Sequence, residues 1–262
     1  MQNNLDINGF INSAAVSGDI ARFLIIFLRI SIFMAMMPIF SSQNSPVQFK
    51  MGLAVAFALV ITPVVNFDLG DTPIALVIMK EIVLSMLLGG VGLLVFTGVS
   101  MAGQIMSNSM SLSIATYFDP QFGQSAEMSR LLEAIVTLLF FIMNAHQDMI
   151  YIFVKSFELI PPGQIKMNNL MIAGMFGGAK LFVMAIKVGA PVMVGLLVAN
   201  LLLGFLYKAA PQVNIMFVSF PIFIFFGMVL LIAGMPVFLH VVAQYIGGMK
   251  QDMYDVLQMG TR

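Results

Sequence analysis

Three long apolar runs constrain the fold of this chain more than any other feature of its sequence. They are Ile74–Ser100, Leu170–Tyr207 and Ile215–Ile246, and two shorter runs, Ile20–Met37 and Met51–Val65, come before them. A helix needs about 20 apolar residues to cross the hydrocarbon core of a bilayer, so each long run is sufficient. The sequence therefore predicts an all-α membrane protein whose hydrophobic helices are kinked, unequal in length and grouped as helical hairpins.

The low charge content agrees with a chain that contacts membrane lipid. Hydrophobic residues make up 60% of the 262 residues and charged residues 9%, whereas soluble domains carry about a quarter charged residues. The formal net charge is zero, so nothing indicates a nucleic-acid partner. The chain has no cysteine, which excludes disulfides, thiolate nucleophiles and cysteine metal sites.

Several charged residues lie within or beside the apolar runs, and they argue against a bundle of simple membrane spans. A charged side chain that faces lipid is costly, so such residues usually face protein or water. We therefore expect buried charges at Arg29, Lys80, Glu81, Glu133 and Lys187. The lysines and arginines of the turns favour neither orientation of the chain across the membrane.

The sequence predicts no enzyme, no cofactor and no metal site. The two histidines, His146 and His240, are far apart in the chain, and no H-E-x-x-H motif is present. No serine lies in a nucleophile-elbow pattern, and no glycine-rich loop has phosphate-binding spacing. We expect His146 to form a hydrogen bond near a helix end rather than to act as a base.

The stretch Met101–Gly123 differs from an ordinary connection between helices. Its first half fits a helix with two unlike faces. Gln104, Ser107 and Ser111 lie on one face, and Met106, Met110 and Ile114 lie on the other.

The second half of this stretch carries two aromatic residues beside a proline. Proline disfavours helix at the residue before it, so the helix is expected to end near Asp119. Gly123 permits a positive φ for the return of the chain. The loop therefore presents Tyr117 and Phe118 close to Pro120. Two interpretations remain open at this point: the loop packs as a core turn, or it closes a hole.

The same stretch carries a resemblance to a known family. Residues 110–120, MSLSIATYFDP, resemble the plug-loop signature of the FliR/SctT family, the single-copy export-gate subunits of flagellar and injectisome type III secretion. Similar motifs follow in the family's order: Asn144-Ala-His146, NLLLG at residues 200–204, APQ at 210–212 and SFP at 219–221. The resemblance covers the chain from about Met101 to its end.

The resemblance implies an architecture and a set of partners. One copy of such a subunit completes a helical ring with FliP and FliQ family subunits in the bacterial inner membrane, at the flagellar basal body. Residues 1–188 are expected to resemble the larger subunit, FliP. Residues 189–262 are expected to resemble the two-helix subunit, FliQ, with a short polar tail from Gly247. FlhB and FlhA family export proteins and unfolded flagellar export substrates are further implied partners.

The resemblance also implies a gate. The plug loop, which we define as Met101–Gly123, is expected to close the export channel, since an apolar constriction can block ions by dewetting. The gate residues are Met106, Met110, Ile114, Tyr117, Phe118, Asp119, Pro120 and Gly123. A turn after the long apolar run is expected to contact neighbouring hairpins through Lys208, Pro211, Gln212 and Asn214.

A secondary transporter is the alternative function. In that case the charges at Lys80, Glu81, Glu133 and Lys187 would form a coupling relay. Such folds are often built from internal repeats with interrupted helices. A transporter is expected to work alone, whereas a gate subunit needs its partners.

Overall fold

The structure, a computed structural model, is helical in most of the part of the chain that it describes. The described residues are 14–41, 46–65, 67, 73–112, 127–209 and 215–261, and no strand occurs among them. The helices there are α1 (Ala14–Met36), α2 (Pro38–Ser41), α3 (Val47–Ile61), α4 (Ile74–Ser109), α5 (Glu127–Ile142), α6 (Ala145–Leu159), α7 (Met167–Ala209) and α8 (Ile215–Thr261). The all-α prediction is confirmed.

Three of these helices are long and apolar enough to cross a membrane, namely α4, α7 and α8. The pair α5 and α6 is bent by 66° at a short break and would make a fourth span if counted as one. Helix α3 is apolar but has only 15 residues, fewer than the roughly 20 that a span requires. The helices are therefore unequal in length, and the expectation of a membrane protein is confirmed.

Helix α8 extends further than the sequence analysis predicted. The apolar run ends at Ile246, and a polar tail was expected from Gly247; instead the helix continues to Thr261. Met249, Met253 and Leu257 recur every four residues in this part and are all buried. Such a stripe is typical of an amphipathic helix, in which polar residues on the other face do not end the helix.

The described residues form two compact units, each with its own core. Unit 1 comprises Met1–Leu93, Met149–Gly174 and Gln251–Arg262, and unit 2 comprises Leu94–Asp148 and Met175–Lys250. These units are defined by spatial contacts. The predicted division at residue 188 concerns likeness to two other subunits, and it stays a prediction.

Unit 1 has an apolar core built from α1, α3, α4 and α6. Ile26 and Ile30 of α1 and Leu84 and Leu88 of α4 are fully buried there. The rings of Phe33 and Phe153 stack with their centroids 4.1 Å apart.

Unit 2 is held together by close helix approaches at small residues. A Cβ atom on Gly103 of α4 would lie 2.5 Å from the Cα atom of Ser129 in α5. A Cβ atom on Gly195 of α7 would clash with the side chain of Leu230 in α8. Small residues of this kind let helix backbones approach each other closely, which strengthens van der Waals packing.

Candidate functional site

A fully buried ion pair joins α1 to α4 in unit 1. Arg29 Nε donates a hydrogen bond to Glu81 Oε2 at 2.6 Å, and Arg29 Nη2 donates to Glu81 Oε1 at 2.9 Å. Both side chains have no exposed surface. This two-bond geometry matches the planar guanidinium to the carboxylate and is among the strongest polar contacts that proteins make.

The remaining donors of Arg29 are also satisfied, and they connect the pair to α6. Nη1 and Nη2 both donate to the Ile160 carbonyl oxygen at 3.2 Å, and Nη1 lies 3.4 Å from Ser156 Oγ. The guanidinium carbon is 4.4 Å from the centre of the Phe157 ring. Ile160 directly follows α6, where backbone carbonyls lack helical partners and attract positive charge. The arginine therefore ties three helices together.

The other predicted buried charges lie in more open positions. Lys80 and Glu133 are half-buried, and Lys187 is exposed on the single chain. Lys187 does not have the buried environment expected for it, because its side chain is exposed on α7. Its ammonium nitrogen is 6.0 Å from the centre of the Tyr245 ring.

Helix α4 ends well before the proline that was expected to end it. It stops at Ser109, and Ser111 has a φ of 62°. The Leu112 N–H donates to the Ser107 carbonyl at 3.0 Å, and the Ser111 N–H donates to the Asn108 carbonyl at 3.1 Å. These two bonds form a Schellman motif, which caps a helix when one residue adopts the left-handed conformation. The prediction of a continuous helix to Asp119 is wrong, because a serine takes the place usually held by glycine.

Two predicted gate residues are packing groups at this end of α4. Met106 and Met110 are buried in unit 2. Met110 lies across Gly227 of α8, where a Cβ atom would come within 2.5 Å of Met110 Cγ. Ser107, which the helical pattern placed on the opposite, polar face, is also buried.

The start of α5 is fixed to α4 as well. Ser129 Oγ donates to the Ser100 carbonyl oxygen at 2.9 Å, close to the approach of Gly103 to Ser129. The contact of Ser129 fixes the start of α5 in unit 2, just after residues 113–126. The contact of Met110 with Gly227 fixes the end of α4 in the same unit, just before residues 113–126.

The remaining predicted site residues fall mostly outside the described part of the chain. Lys208 is exposed at the end of α7. Ile114, Tyr117, Phe118, Asp119, Pro120, Gly123, Pro211, Gln212 and Asn214 are not among the described residues.

The break between α5 and α6 is a feature that the sequence analysis missed. Asn144 has a φ of 54° and lies at the 66° bend. Asparagine tolerates this left-handed conformation better than most residues. The position of Asn144 directly after the apolar stretch Leu131–Met143 was the sequence feature that could have indicated the break. His146 Nδ1 is buried without a hydrogen-bond partner in the described part of the chain. The hydrogen bond expected for this histidine is therefore not made by Nδ1.

These features define an all-α membrane protein with a buried ion pair in one unit and a capped, anchored helix end in the other. Among the described residues, no group of three or more histidine, aspartate or glutamate side chains could hold a metal ion. Comparison with known sequences then gives the family. The family described as bacterial export proteins, family 1, matches residues 20–249, and the chain belongs to it.

Similar proteins named flagellar biosynthetic protein FliR occur in several bacteria. The FliR of Escherichia coli (strain K12) is 30% identical over 237 residues, which cover 88% of each chain. The FliR of Bacillus subtilis (strain 168) is 29% identical over 252 residues, which cover 90% of this chain and 95% of the relative. The resemblance to the FliR family, inferred from short motifs, is confirmed over most of the chain.

Proposed function

We propose that this chain is a subunit of the flagellar type III protein export gate and is needed for flagellum assembly. The observation that carries the proposal is the family match over residues 20–249. The sequence similarity to relatives named for flagellar biosynthesis also extends over most of the length of those relatives. The chain has no enzymatic role in this proposal. It lies in the bacterial inner membrane at the flagellar basal body, which agrees with its three apolar helices of spanning length.

The exposed apolar surface of the single chain supports a multi-subunit assembly. In the most apolar stretch of α8, only 22% of the residues are buried within the chain. The corresponding share in α7 is 33%. Apolar patches of this extent on helices are typical of surfaces that contact lipid or other subunits. We propose that FliP and FliQ family subunits cover part of this surface and that FlhB and FlhA family proteins join them. Residues 1–188 correspond to the larger subunit, and residues 189–262 to the two-helix subunit.

Gating is assigned to the second half of the plug loop, residues 113–123. The chain enters this region from the capped end of α4 and returns at α5, and both ends are anchored in unit 2 through Met110 and Ser129. A short segment with fixed ends can hold Tyr117 and Phe118 at a constriction. Bulky apolar groups there stop ions by dewetting, and their displacement lets an unfolded flagellar protein pass.

The transporter alternative has little support at Glu81, one of the four residues assigned to its coupling relay. A coupling relay needs a carboxylate that gains and loses a proton or ion. Glu81 instead accepts hydrogen bonds from Arg29 through both of its carboxylate oxygens, and a buried pair with this geometry acts as a structural link.

The proposed function is tested by deleting the gene and restoring it on a plasmid. We expect the deletion strain to lack flagella and to release no flagellar proteins into the medium, and the restored strain to regain both. Affinity purification from the restored strain is expected to yield this chain in one complex with its partner subunits. A deletion strain that exports flagellar proteins at the wild-type rate would contradict the proposal.

A further inference from the structure

A cavity of about 130 Å³ lies in unit 1 between α1, α3 and α6. Every side chain that lines it is that of an isoleucine, leucine, valine, methionine or phenylalanine. Phe33 and Met37 of α1 are almost fully buried and form its floor. Phe57 of α3 and Val154 of α6, which also line it, are 37% and 40% exposed. The cavity therefore reaches from the core of unit 1 to a mouth beside α3 and α6.

The cavity is elongated along the two helices that form its walls. Leu53, Phe57 and Ile61 line it from α3, and their spacing of four residues places them on one stripe about 12 Å long. Ile30 and Met37 line it from α1, two turns apart on one face and about 10 Å from each other. Helices α1 and α3 pack against each other, so the two stripes border the same space. Its length suits a linear chain rather than a single side chain.

The chemistry of the lining restricts what can occupy the cavity. A water molecule in a protein needs two to four polar partners, and an apolar cavity of about 150 Å³ stays dry and binds benzene. A peptide segment would bring backbone N–H and C=O groups into a space whose side chains offer no partner for them, which is costly. A hydrocarbon chain brings no polar group and gains contacts with all the walls.

The surroundings of the mouth supply such a chain. From Met51 to Ile61, α3 consists of apolar residues and one glycine, and Leu59 and Val60 on its outer side are 60% and 69% exposed. The helix is therefore apolar around its whole circumference near the mouth. In a membrane protein, an exposed surface of this kind meets the acyl chains of lipids.

We infer that this cavity binds one acyl chain of a membrane phospholipid. The inference goes beyond the proposed function and does not depend on it. The acyl chain lies along the stripes of α1 and α3, and the headgroup stays outside the mouth. The bound chain fills a space whose walls otherwise lack contact partners, so it stabilises the packing of α1 on α3. Because the site takes a single lipid molecule, it sets no requirement on the depth of unit 1 in the bilayer.

The test uses phosphatidylglycerol that carries a photoreactive diazirine near the end of one acyl chain. The full chain, alone and in complex with its partner subunits, is reconstituted in vesicles that contain this lipid. After irradiation, mass spectrometry maps the labelled residues. We expect label on Phe33 or Met37, which bilayer lipid cannot reach from the surface because they are 2% and 1% exposed. Label on exposed residues such as Val60 serves as the internal reference.

Two variants of α3 connect this label with the cavity. Leu53→Trp places a larger side chain in the cavity and is expected to lower the label on the floor residues at least about fivefold relative to the reference. Leu59→Trp makes the same change on the same helix at an exposed position outside the lining, and it is expected to leave the floor label unchanged. Circular dichroism checks that both variants keep wild-type helix content.

A competition experiment on the wild-type chain needs no variant. Unlabelled phosphatidylglycerol with long acyl chains is expected to reduce the floor label. Dihexanoyl phosphatidylglycerol is expected to compete at least about tenfold less well, since each methylene group buried along the stripe raises the affinity about fourfold.

Three results would overturn the inference. The first is label on the exposed reference residues of the wild type with none on Phe33 or Met37. The second is floor label in the chain alone that disappears in the complex, which would show that a neighbouring subunit covers the cavity. The third is equal competition by the short-chain and long-chain lipids, or unchanged floor label in a folded Leu53→Trp variant.

Discussion

Removing one partner of the Arg29–Glu81 pair is predicted to destabilise unit 1 strongly. Glu81→Gln keeps the size of the side chain but removes its charge, so Arg29 stays buried without a counter-charge. Arg29 has no exposed surface through which water could reach it. Loss of one partner from a buried ion pair typically costs about 3–5 kcal/mol. We expect the free energy of unfolding to fall by about that amount.

A double variant shows whether the charge or the packing matters. Arg29→Met with Glu81→Leu removes both charges, and apolar replacement of a buried pair is often close to neutral. The Ile160 carbonyl, which accepts two bonds from Arg29, is then left without these donors, at a cost of about 1–3 kcal/mol. We therefore expect the double variant to be more stable than Glu81→Gln, although less stable than the wild type.

Stability is measured by denaturant titration of the detergent-solubilised chain, followed by circular dichroism, since the chain has no tryptophan and no cysteine to report unfolding. Asp148→Asn is the control, because its pair with Lys250 is about half exposed, at 48% and 49%. Exposed pairs contribute about 0–1 kcal/mol. If Glu81→Gln is no more destabilising than Asp148→Asn, the structural role assigned to the buried pair is wrong.

Two other contacts give predictions of their own. Gly227→Ala brings a Cβ atom against Met110 and is expected to cost about 1–3 kcal/mol in the same titration; adding Met110→Ala should restore part of the loss, and no restoration would contradict the contact. Replacing Gln212 and Asn214 with leucine is expected to weaken assembly, since hydrogen bonds between membrane helices contribute about 0.6 kcal/mol and up to about 2. Swimming assays and complex yield measure that effect, and wild-type values for both would refute it.

The sequence predicted the type of structure because its strongest signals are local and repeated. The apolar runs identify the long helices, and the composition identifies the membrane. Helix ends were predicted less well. Ser111 holds the capping position that glycine usually takes, and the backbone hydrogen bonds there end α4. The prediction based on Pro120 therefore placed the end of the helix too late. Polar residues are frequent after Gly247, so the buried apolar stripe among them was not recognised, and α8 continues to Thr261.

The sequence did not predict which distant residues contact each other in the folded chain. The cost of burying Arg29 indicated that it needs a partner, but Glu81, Ser156 and Ile160 all lie far from it in the chain. Nothing in the sequence indicates that Met110 packs against Gly227. Such contacts depend on how helices pack, and no periodicity along one helix reports that packing. The gate assignment came from the resemblance to a family.

The most direct test of the gate is the deletion of residues 116–122 in a cell that makes the whole export complex. A closing loop whose packing is slight can be shortened at a small entropic cost, since closure entropy changes slowly with loop length. The measurement is ion conductance of the membrane, with complex yield determined in parallel. The account predicts an assembled complex that leaks small ions. An assembled complex that remains tight would contradict the gate assignment, and failure to assemble would show that this part of the plug loop holds the helices together.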